Sequence, residues 1–408
     1  MKKFISLALC GLAFCSVSAQ QANVDQAKKL AGKTDKISEA RSLINQALQN
    51  PETANQAQTY YVAGKIEWDA FDKEQAASMI TGKLDTLNMG KELVNGYNYY
   101  MQVFPLDNET NAKGEVKPKF TKELKGKISK KHDDFFNMGA LLLERVSYYP
   151  TAFEAFMIYG DMPDEEVFKD VKFNIKDANR SRGAAYYYAG RAAFSSNNVE
   201  GAIEAFNKTI QQNYDGYDEN NLPAQEYAIE CWRAILAKDT TRAAEAHQNI
   251  YELALNGYNT YGNKRPNFLL YLVDEMNSQG KSQETLPILA DAIQNNPDKP
   301  EYYYARAVIY DNLNKDEECI EDYMKAVSLE DVNYNIIKAA IRKLFLVGQA
   351  KLNAIEINDP EYKSKRDNVK KNYLQEAQNL VRKAETLPDY PAGDLNYLEE
   401  NINYLLGE

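Results

Sequence analysis

The phrase YYYAGRAAF occupies residues 186–194, and a near copy, YYYARAVIY, occupies residues 302–310. Both phrases carry apolar residues at the spacing of one face of an α-helix, and a second helical segment follows each of them. The second segments also agree, because a small residue is followed four positions later by an aromatic ring in both: Ala202 and Phe206, and Cys319 and Tyr323. The two phrases therefore predict the same helix pair at two places in one chain.

The copies follow a fixed period. Val273 and Ala307 take the same place in two abutting units, 266–299 and 300–333, and stand 34 residues apart. A small residue in the first helix, a small residue and a bulky plug in the second, and a closing proline such as Pro297 resemble the tetratricopeptide repeat, which has this period. The resemblance implies an all-α fold, a right-handed superhelical solenoid of antiparallel helix pairs.

The same pattern extends, with losses, over most of the chain. Residues 20–182 hold degenerate units and a lysine-rich insertion at 107–131, and residues 183–333 hold the well-formed units. Residues 334–408 predict an elongated last helix pair and a capping helix at 394–406, whose apolar stripe would cover the open end of the stack. The layout is similar to that of exported tetratricopeptide-repeat proteins of Gram-negative envelopes.

Residues 1–19 are typical of a secretory signal peptide that is cleaved after Ala19. The apolar run within it is too short to span a bilayer, and no later run is long enough. Lipidation requires a cysteine that follows a small residue, and neither Cys10 nor Cys15 does. We therefore expect export to the periplasm without a transmembrane anchor, and association with the outer membrane stays open.

Charge and motif content argue against several classes of function. A net charge of -11 does not suit phosphate binding, so we expect no nucleic-acid partner. The chain has only two histidines, His132 and His247, and no nucleophile elbow, phosphate loop or dinucleotide turn occurs. Cys231 and Cys319 are expected to be buried free thiols rather than a disulfide pair. We therefore expect no catalytic residues, no cofactor and no enzyme activity.

One loop invites comparison with a calcium site. Asp107, Glu109 and Asn111 alternate as calcium ligands do, but Ala112 and Pro118 stand where such a loop needs Gly and Glu. A second polar loop, YDGYDEN, lacks alternating ligands. We therefore expect no metal site.

The insertion at 107–131 is strongly basic within an acidic chain. Its lysines are Lys113, Lys117, Lys119, Lys122, Lys125, Lys127, Lys130 and Lys131. Two interpretations stay open, a docking patch for an acidic partner or an anionic membrane, and a solvated loop that leads into a helix. The second is favoured, because the aromatic interleaving typical of nucleic-acid grooves is missing.

In the tetratricopeptide family, ligands lie on the concave side, along the first helices of successive units. Mapping those positions residue by residue gives the candidate groove residues: Tyr61, Trp68, Phe136, Tyr187, Arg191, Phe194, Tyr304 and Asp311. Aromatic rings supply a large contact area at low rotamer entropy, although each ring has the alternative of packing against a neighbouring helix. By the resemblance, Tyr186 and Tyr303 pack between helices, whereas Tyr187 and Tyr304 face the groove. The Lys, Asn and Arg cluster with which chaperone-binding members hold a terminal carboxylate is not carried over.

We therefore expect a non-catalytic scaffold of the bacterial cell envelope that binds a protein or peptide partner, or a second copy of itself. The alternative is an envelope carbohydrate-binding protein on the same repeats. In that case Trp68 and Trp232, the only two tryptophans, would stack on sugar rings. An enzyme with a dispersed site among the helices is a third reading.

Overall fold

A computed structural model describes residues 21–108, 114, 117–216 and 221–407. These residues form helices joined by turns, with no β-strand among them. The all-α class predicted from the apolar spacing is confirmed. The expected signal peptide lies outside the described residues, as do Glu109, Asn111 and Ala112 of the calcium comparison, so export stays a prediction.

The chain divides into two compact units, with the division between Ile235 and Leu236. In the first unit residues 21–30 are helical. The helices that follow are α1 (Ile37–Gln49), α2 (Ala57–Thr81), α3 (Thr86–Leu106), α4 (Thr121–Lys130), α5 (His132–Leu142), α6 (Tyr149–Asp161), α7 (Ala178–Ser195), α8 (Val199–Gln211) and α9 (Ala224–Lys238), which contains the division. The predicted boundaries at 182 and 333 concern the regularity of the repeats and stay a prediction.

The second unit continues with helices of similar length. They are α10 (Ala243–Tyr261), α11 (Asn267–Ser278), α12 (Ser282–Asn295), α13 (Pro300–Asn312), α14 (Asp316–Val327), α15 (Tyr334–Asn353), α16 (Tyr362–Val369), α17 (Gln375–Ala384) and α18 (Asn396–Leu406). A π-helical turn at Lys370–Leu374 joins α16 to α17.

Consecutive helices pack side by side because the first helix of a pair carries a small residue where a ring of the second helix crosses it. At Gly190 on α7, a Cβ atom would lie 2.6 Å from Cε1 of Phe206 on α8. Ala307 on α13 and Tyr323 on α14 take the matching places and are buried. The residue spacing that predicts the repeat is therefore a requirement of close packing.

The turn inside a pair is also repeated. Asn197 between α7 and α8 and Asn314 between α13 and α14 have positive φ angles of 62° and 57°. Gly280, between α11 and α12, lies 34 residues before Asn314 and has a φ of 75°. Left-handed backbone favours Gly and Asn, so residue type at this one position ends the first helix in all three pairs.

Each unit has its own buried core. In the first unit the largest fully buried side chains include Trp68, Tyr100 and Phe156. In the second unit Ile402 of α18 belongs to the same buried cluster as Leu374 and Val381. The amphipathic α18 therefore covers one end of the helices in its own unit.

Candidate functional site

In the first unit, the inserted helix α4 covers two of the candidate groove residues, Tyr61 and Trp68 on α2. The ring of Phe120, just before α4, stacks on Tyr61 with centroids 4.5 Å apart. The hydroxyl of Tyr61 donates to Glu123 at 2.8 Å. Trp68 is fully buried, and its Nε1 donates to the carbonyl of Leu93 at 2.9 Å. The assignment of Trp68 to an open groove is therefore wrong, because the side chain packs between α2, α3 and α4.

Lysines of the insertion hold α4 in this place. The Nζ atom of Lys127 lies 2.9 Å from the hydroxyl of Tyr100 and 5.6 Å from the ring centroid of Trp68. Lys131 lies 4.5 Å from the ring centroid of Phe71, and its Nζ pairs with a carboxylate of α2. Cations over aromatic faces are attracted by the ring quadrupole. Burial lowers the pKa of Lys127, as expected for a charge removed from water. Lys127 and Lys131 therefore belong neither to a free docking patch nor to a solvated loop, because both contact aromatic rings of α2 or α3.

Asp107 fixes the start of α4. Its carboxylate accepts hydrogen bonds at 2.8 Å from the backbone N–H groups of Lys119, Phe120 and Thr121, and from the hydroxyl of Thr121. Burial opposes the charge, but the four donors outweigh it and lower the pKa of Asp107. These donors occupy both oxygens, so Asp107 caps the start of α4.

On α7 the candidate residues turn toward the segment that precedes α9. Tyr187 is 1% exposed, and its hydroxyl donates to the carbonyl of Leu222 at 2.7 Å. Arg191 donates to Oδ1 of Asn221 at 2.7 Å. Tyr187 is therefore a packing residue, which corrects its assignment to the groove. Phe194 keeps about a third of its surface exposed.

The two tyrosines of the first phrase therefore do not divide into one packing residue and one groove residue, as the resemblance implies. Tyr186 is also buried, and its hydroxyl donates to Asp161 at 2.7 Å. In the second phrase they do separate, since Tyr303 is buried and Tyr304 is half-buried. The difference arises because Tyr214 and Leu222 contact the ring and the hydroxyl of Tyr187.

Phe136 lines a smaller cavity of the first unit. This space of about 380 Å³ lies between α5 and α7. Its lining residues are Asp133, Phe136, Asn137, Tyr159, Arg180, Ser181, Ala184 and Tyr214. Phe136 itself is half-buried, and its ring lies 5.4 Å from that of Phe156.

The second unit has a larger groove between α13 and α15, with a volume of about 680 Å³. We call it the α13–α15 groove. It brings together two of the candidate residues, Tyr304 and Asp311. The other lining residues are Tyr323, Asn335, Lys338, Ala339, Arg342, Lys343 and Leu346. Tyr323 of α14 is 5% exposed, and its ring centroid lies 6.0 Å from that of Tyr304. The groove is thus walled by two helices, with an aromatic floor.

The residues of α15 in this groove were missed by the mapping, which ended with Asp311. A usable signal exists in the sequence. Ile337, Ile341 and Leu344 form the buried face of α15. Asn335, Lys338, Arg342 and Leu346 are exposed and follow one another at helical spacing on another face.

Residues 300–333 match the family model described as tetratricopeptide repeat. This segment is similar to a tetratricopeptide repeat. The matched segment is the α13–α14 pair, which supplies one wall and the floor of the groove. No curated protein sequence matches the chain significantly.

Three solved structures resemble the chain at low overall similarity. Yeast Tom70 is 14% identical, with 96% of each chain covered and a TM-score of 0.25. The Naa15/Naa10 complex bound to HypK-THB is 13% identical, with 92% of this chain and 69% of that chain covered and a TM-score of 0.25. The P58(IPK) TPR domain is 14% identical, with 90% and 99% covered and a TM-score of 0.20.

The charged side chains of the α13–α15 groove are almost all paired within the described residues. Lys343 on α15 lies 2.5 Å from Asp311 and 2.7 Å from Asp316. Burial opposes its charge, but these two carboxylates outweigh that effect and raise the pKa of Lys343. Lys338 pairs with Asp394 at 2.6 Å. Arg342 is exposed and has no ion pair with any residue that the structure describes.

The two tryptophans of the protein are both buried. Trp68 is 0% exposed and Trp232 is 4% exposed. Neither ring can stack on a sugar, so the carbohydrate-binding alternative loses the residues on which it rests.

The two cysteine thiols of the described chain are also buried. Cys231 and Cys319 are free and buried, and burial raises the pKa of each thiol to about 12. Within the described part of the chain, no three His, Cys, Asp or Glu side chains are grouped so as to hold a metal ion. No helix there is both long enough and apolar enough to cross a bilayer.

Proposed function

We propose that the protein is a non-catalytic scaffold that holds a segment of a partner protein in the α13–α15 groove. The observation that carries this proposal is the position of the groove. It lies between the first helix of the matched repeat and the first helix of the next pair, where helical repeats form their binding surfaces. Tyr304, which is half-buried, and Leu346, which is exposed, stand on its opposite walls.

The dimensions of the groove suit a peptide segment. Asn335 and Leu346 lie eleven residues apart on α15, which corresponds to about 16 Å at the rise of an α-helix. Five residues of an extended chain span a similar length. Leu346 is 47% exposed, so a partner that covers it removes apolar surface from water.

We place this scaffold in the periplasm of a bacterial envelope, with another envelope protein or a second copy of the chain as its partner. The sequence of residues 1–19 supports export, because it has the charged start, apolar run and cleavage site of a signal peptide.

Site-specific photocrosslinking in cells tests the groove. A photoreactive residue is placed at Leu346 or at Val308, a half-buried residue of α13 one helical turn after Tyr304, and separately at Glu321, an exposed residue of α14 outside the groove. We expect one defined adduct from the two groove positions and none from Glu321. Adducts of the same size and yield from Glu321 would overturn the assignment of the partner to this groove.

A further inference from the structure

We infer that the partner segment is extended and places a carboxylate on Arg342 and, two residues away, an apolar side chain on Leu346. This inference rests on the proposed function, since it concerns the same groove. It starts from the difference between the three cations of α15 that line the groove. Lys338 and Lys343 have carboxylate partners within the chain, whereas the described residues give Arg342 none.

A partner that covers Leu346 also removes water from Arg342. The two residues are one helical turn apart on α15, and both are exposed in the groove. A guanidinium that loses water without gaining an acceptor weakens binding, whereas a carboxylate offers it two acceptor oxygens in matching geometry. The partner that fits this wall therefore carries Asp or Glu.

Spacing sets the distance between the partner's two anchoring side chains, whichever way the segment runs. Four residues of α15 separate Arg342 from Leu346, a rise of about 6 Å. In an extended segment, residues i and i+2 point to the same side and lie about 6.6 Å apart. The intervening residue points to the opposite side, where Tyr304 of α13 forms the other wall. An extended segment of the form acid–any–apolar thus uses both walls at once.

The test uses the full chain and dye-labelled nine-residue peptides with both termini blocked, so that no terminal carboxylate is present. One peptide carries Glu-Tyr-Leu at its centre, a second carries Lys-Tyr-Leu, and a third carries Glu-Tyr-Ser, which lacks the apolar side chain for Leu346. Binding is measured by fluorescence anisotropy. We expect the first peptide to bind at least about tenfold more tightly than the other two, the factor typical of one charge-assisted contact.

Charge reversal on the protein provides the decisive comparison. Arg342→Glu should weaken the Glu-Tyr-Leu peptide about tenfold or more and should strengthen the Lys-Tyr-Leu peptide. Lys363→Glu makes the same charge change at an exposed position of α16 outside the groove and should leave both peptides unchanged. Circular dichroism confirms that each variant is folded.

The outcomes separate this inference from the proposed function. If Leu346→Asp abolishes the cellular crosslink from Val308 but Arg342→Glu has no effect on it or on the peptides, the scaffold stands and the carboxylate inference fails. If the wild-type protein does not bind the Glu-Tyr-Leu peptide up to about 1 mM, the inference fails as well. If neither Leu346→Asp nor Tyr304→Ala changes the crosslink, the groove itself is the wrong site.

Discussion

Arg306 and Asp322 join the two helices of the matched repeat through a pair of hydrogen bonds. The Nε and Nη2 atoms of Arg306 on α13 donate to the carboxylate of Asp322 on α14 at 2.7 and 2.8 Å. Asp322 is 4% exposed. The hydrogen bond to Asp322 is also the main cause that raises the pKa of Arg306. A bidentate pair of this kind is stronger than a single neutral hydrogen bond.

Removing the arginine leaves a buried carboxylate without its donors. We expect Arg306→Ala to lower the free energy of unfolding by about 2–3 kcal/mol, measured by urea denaturation. Lys315→Ala is the matched control, because it breaks an exposed 3.7 Å pair with Glu318 and should cost less than about 0.5 kcal/mol. Equal losses in the two variants would contradict a structural role for the Arg306–Asp322 pair.

Gly190 permits the close crossing of α7 and α8. A Cβ atom there would lie 2.6 Å from the ring of Phe206, which is fully buried and cannot move freely. We expect Gly190→Ala to destabilise the protein by about 1–3 kcal/mol in thermal or urea unfolding. Gly126→Ala on α4 is the control, because nothing lies within 4 Å of its added carbon and alanine favours a helix. A Gly190→Ala variant as stable as the control would show that the helices separate easily.

The helix pairs could be predicted from the sequence because their packing is local and periodic. The contact between Gly190 and Phe206 spans 16 residues and recurs between Ala307 and Tyr323, so one spacing encodes both. The groove residue Tyr304 follows from the same periodicity, since its neighbours in the chain are buried and it is not.

Tyr187 and Trp68 could not be placed correctly because segments outside the repeat cover them. The hydroxyl of Tyr187 bonds to Leu222, and Trp68 lies under Lys127, 59 positions further along the chain. Neither the repeat period nor the helical period predicts that Tyr187 meets Leu222 or that Trp68 meets Lys127. Only the folded positions of α4, Tyr214 and Leu222 show which part of the predicted groove is already filled by the chain itself.

Asp107 makes the attachment of α4 dependent on pH. Its pKa is lowered in the folded state, so its contribution to stability is complete above the usual value of 3.8 and is lost as pH falls through the folded pKa. We expect Asp107→Asn to lower the free energy of unfolding by about 1–2 kcal/mol at pH 7, because the cap accepts fewer hydrogen bonds. The gap from wild type should close as pH falls below 3.8 and through the lower folded pKa, where the wild-type carboxyl becomes protonated.

Urea unfolding between pH 3 and pH 7 measures that gap. Asp298→Asn is the control, since it makes the same charge change at an exposed position in the turn before α13. A gap for Asp107→Asn that is the same at pH 3 and pH 7 would argue against the carboxylate as the helix cap.

Arg41 on α1 faces two carboxylates at once, those of Glu67 on α2 and Glu92 on α3. Its Nη2 atom lies 2.6 Å from Glu67 and 2.9 Å from Glu92. Oε2 of Glu92 is buried without a hydrogen-bond partner among the described residues. Burial raises the pKa of Glu92, and the contacts with Arg41 offset only part of this effect. The folded state therefore binds a proton at Glu92 more tightly than the unfolded state does.

Stability contributed by Glu92 is accordingly full below its usual pKa of 4.5 and is lost as pH rises through the folded value. Glu92→Gln keeps one acceptor for Arg41 and removes the buried charge. We expect the variant to gain stability relative to wild type as pH rises from 4.5 to 8, measured by urea unfolding at fixed salt. Glu39→Gln on the exposed face of α1 should show no such trend, because its pair with Lys36 is in water. A difference between Glu92→Gln and wild type that stays constant over this range would mean that Arg41 neutralises both carboxylates.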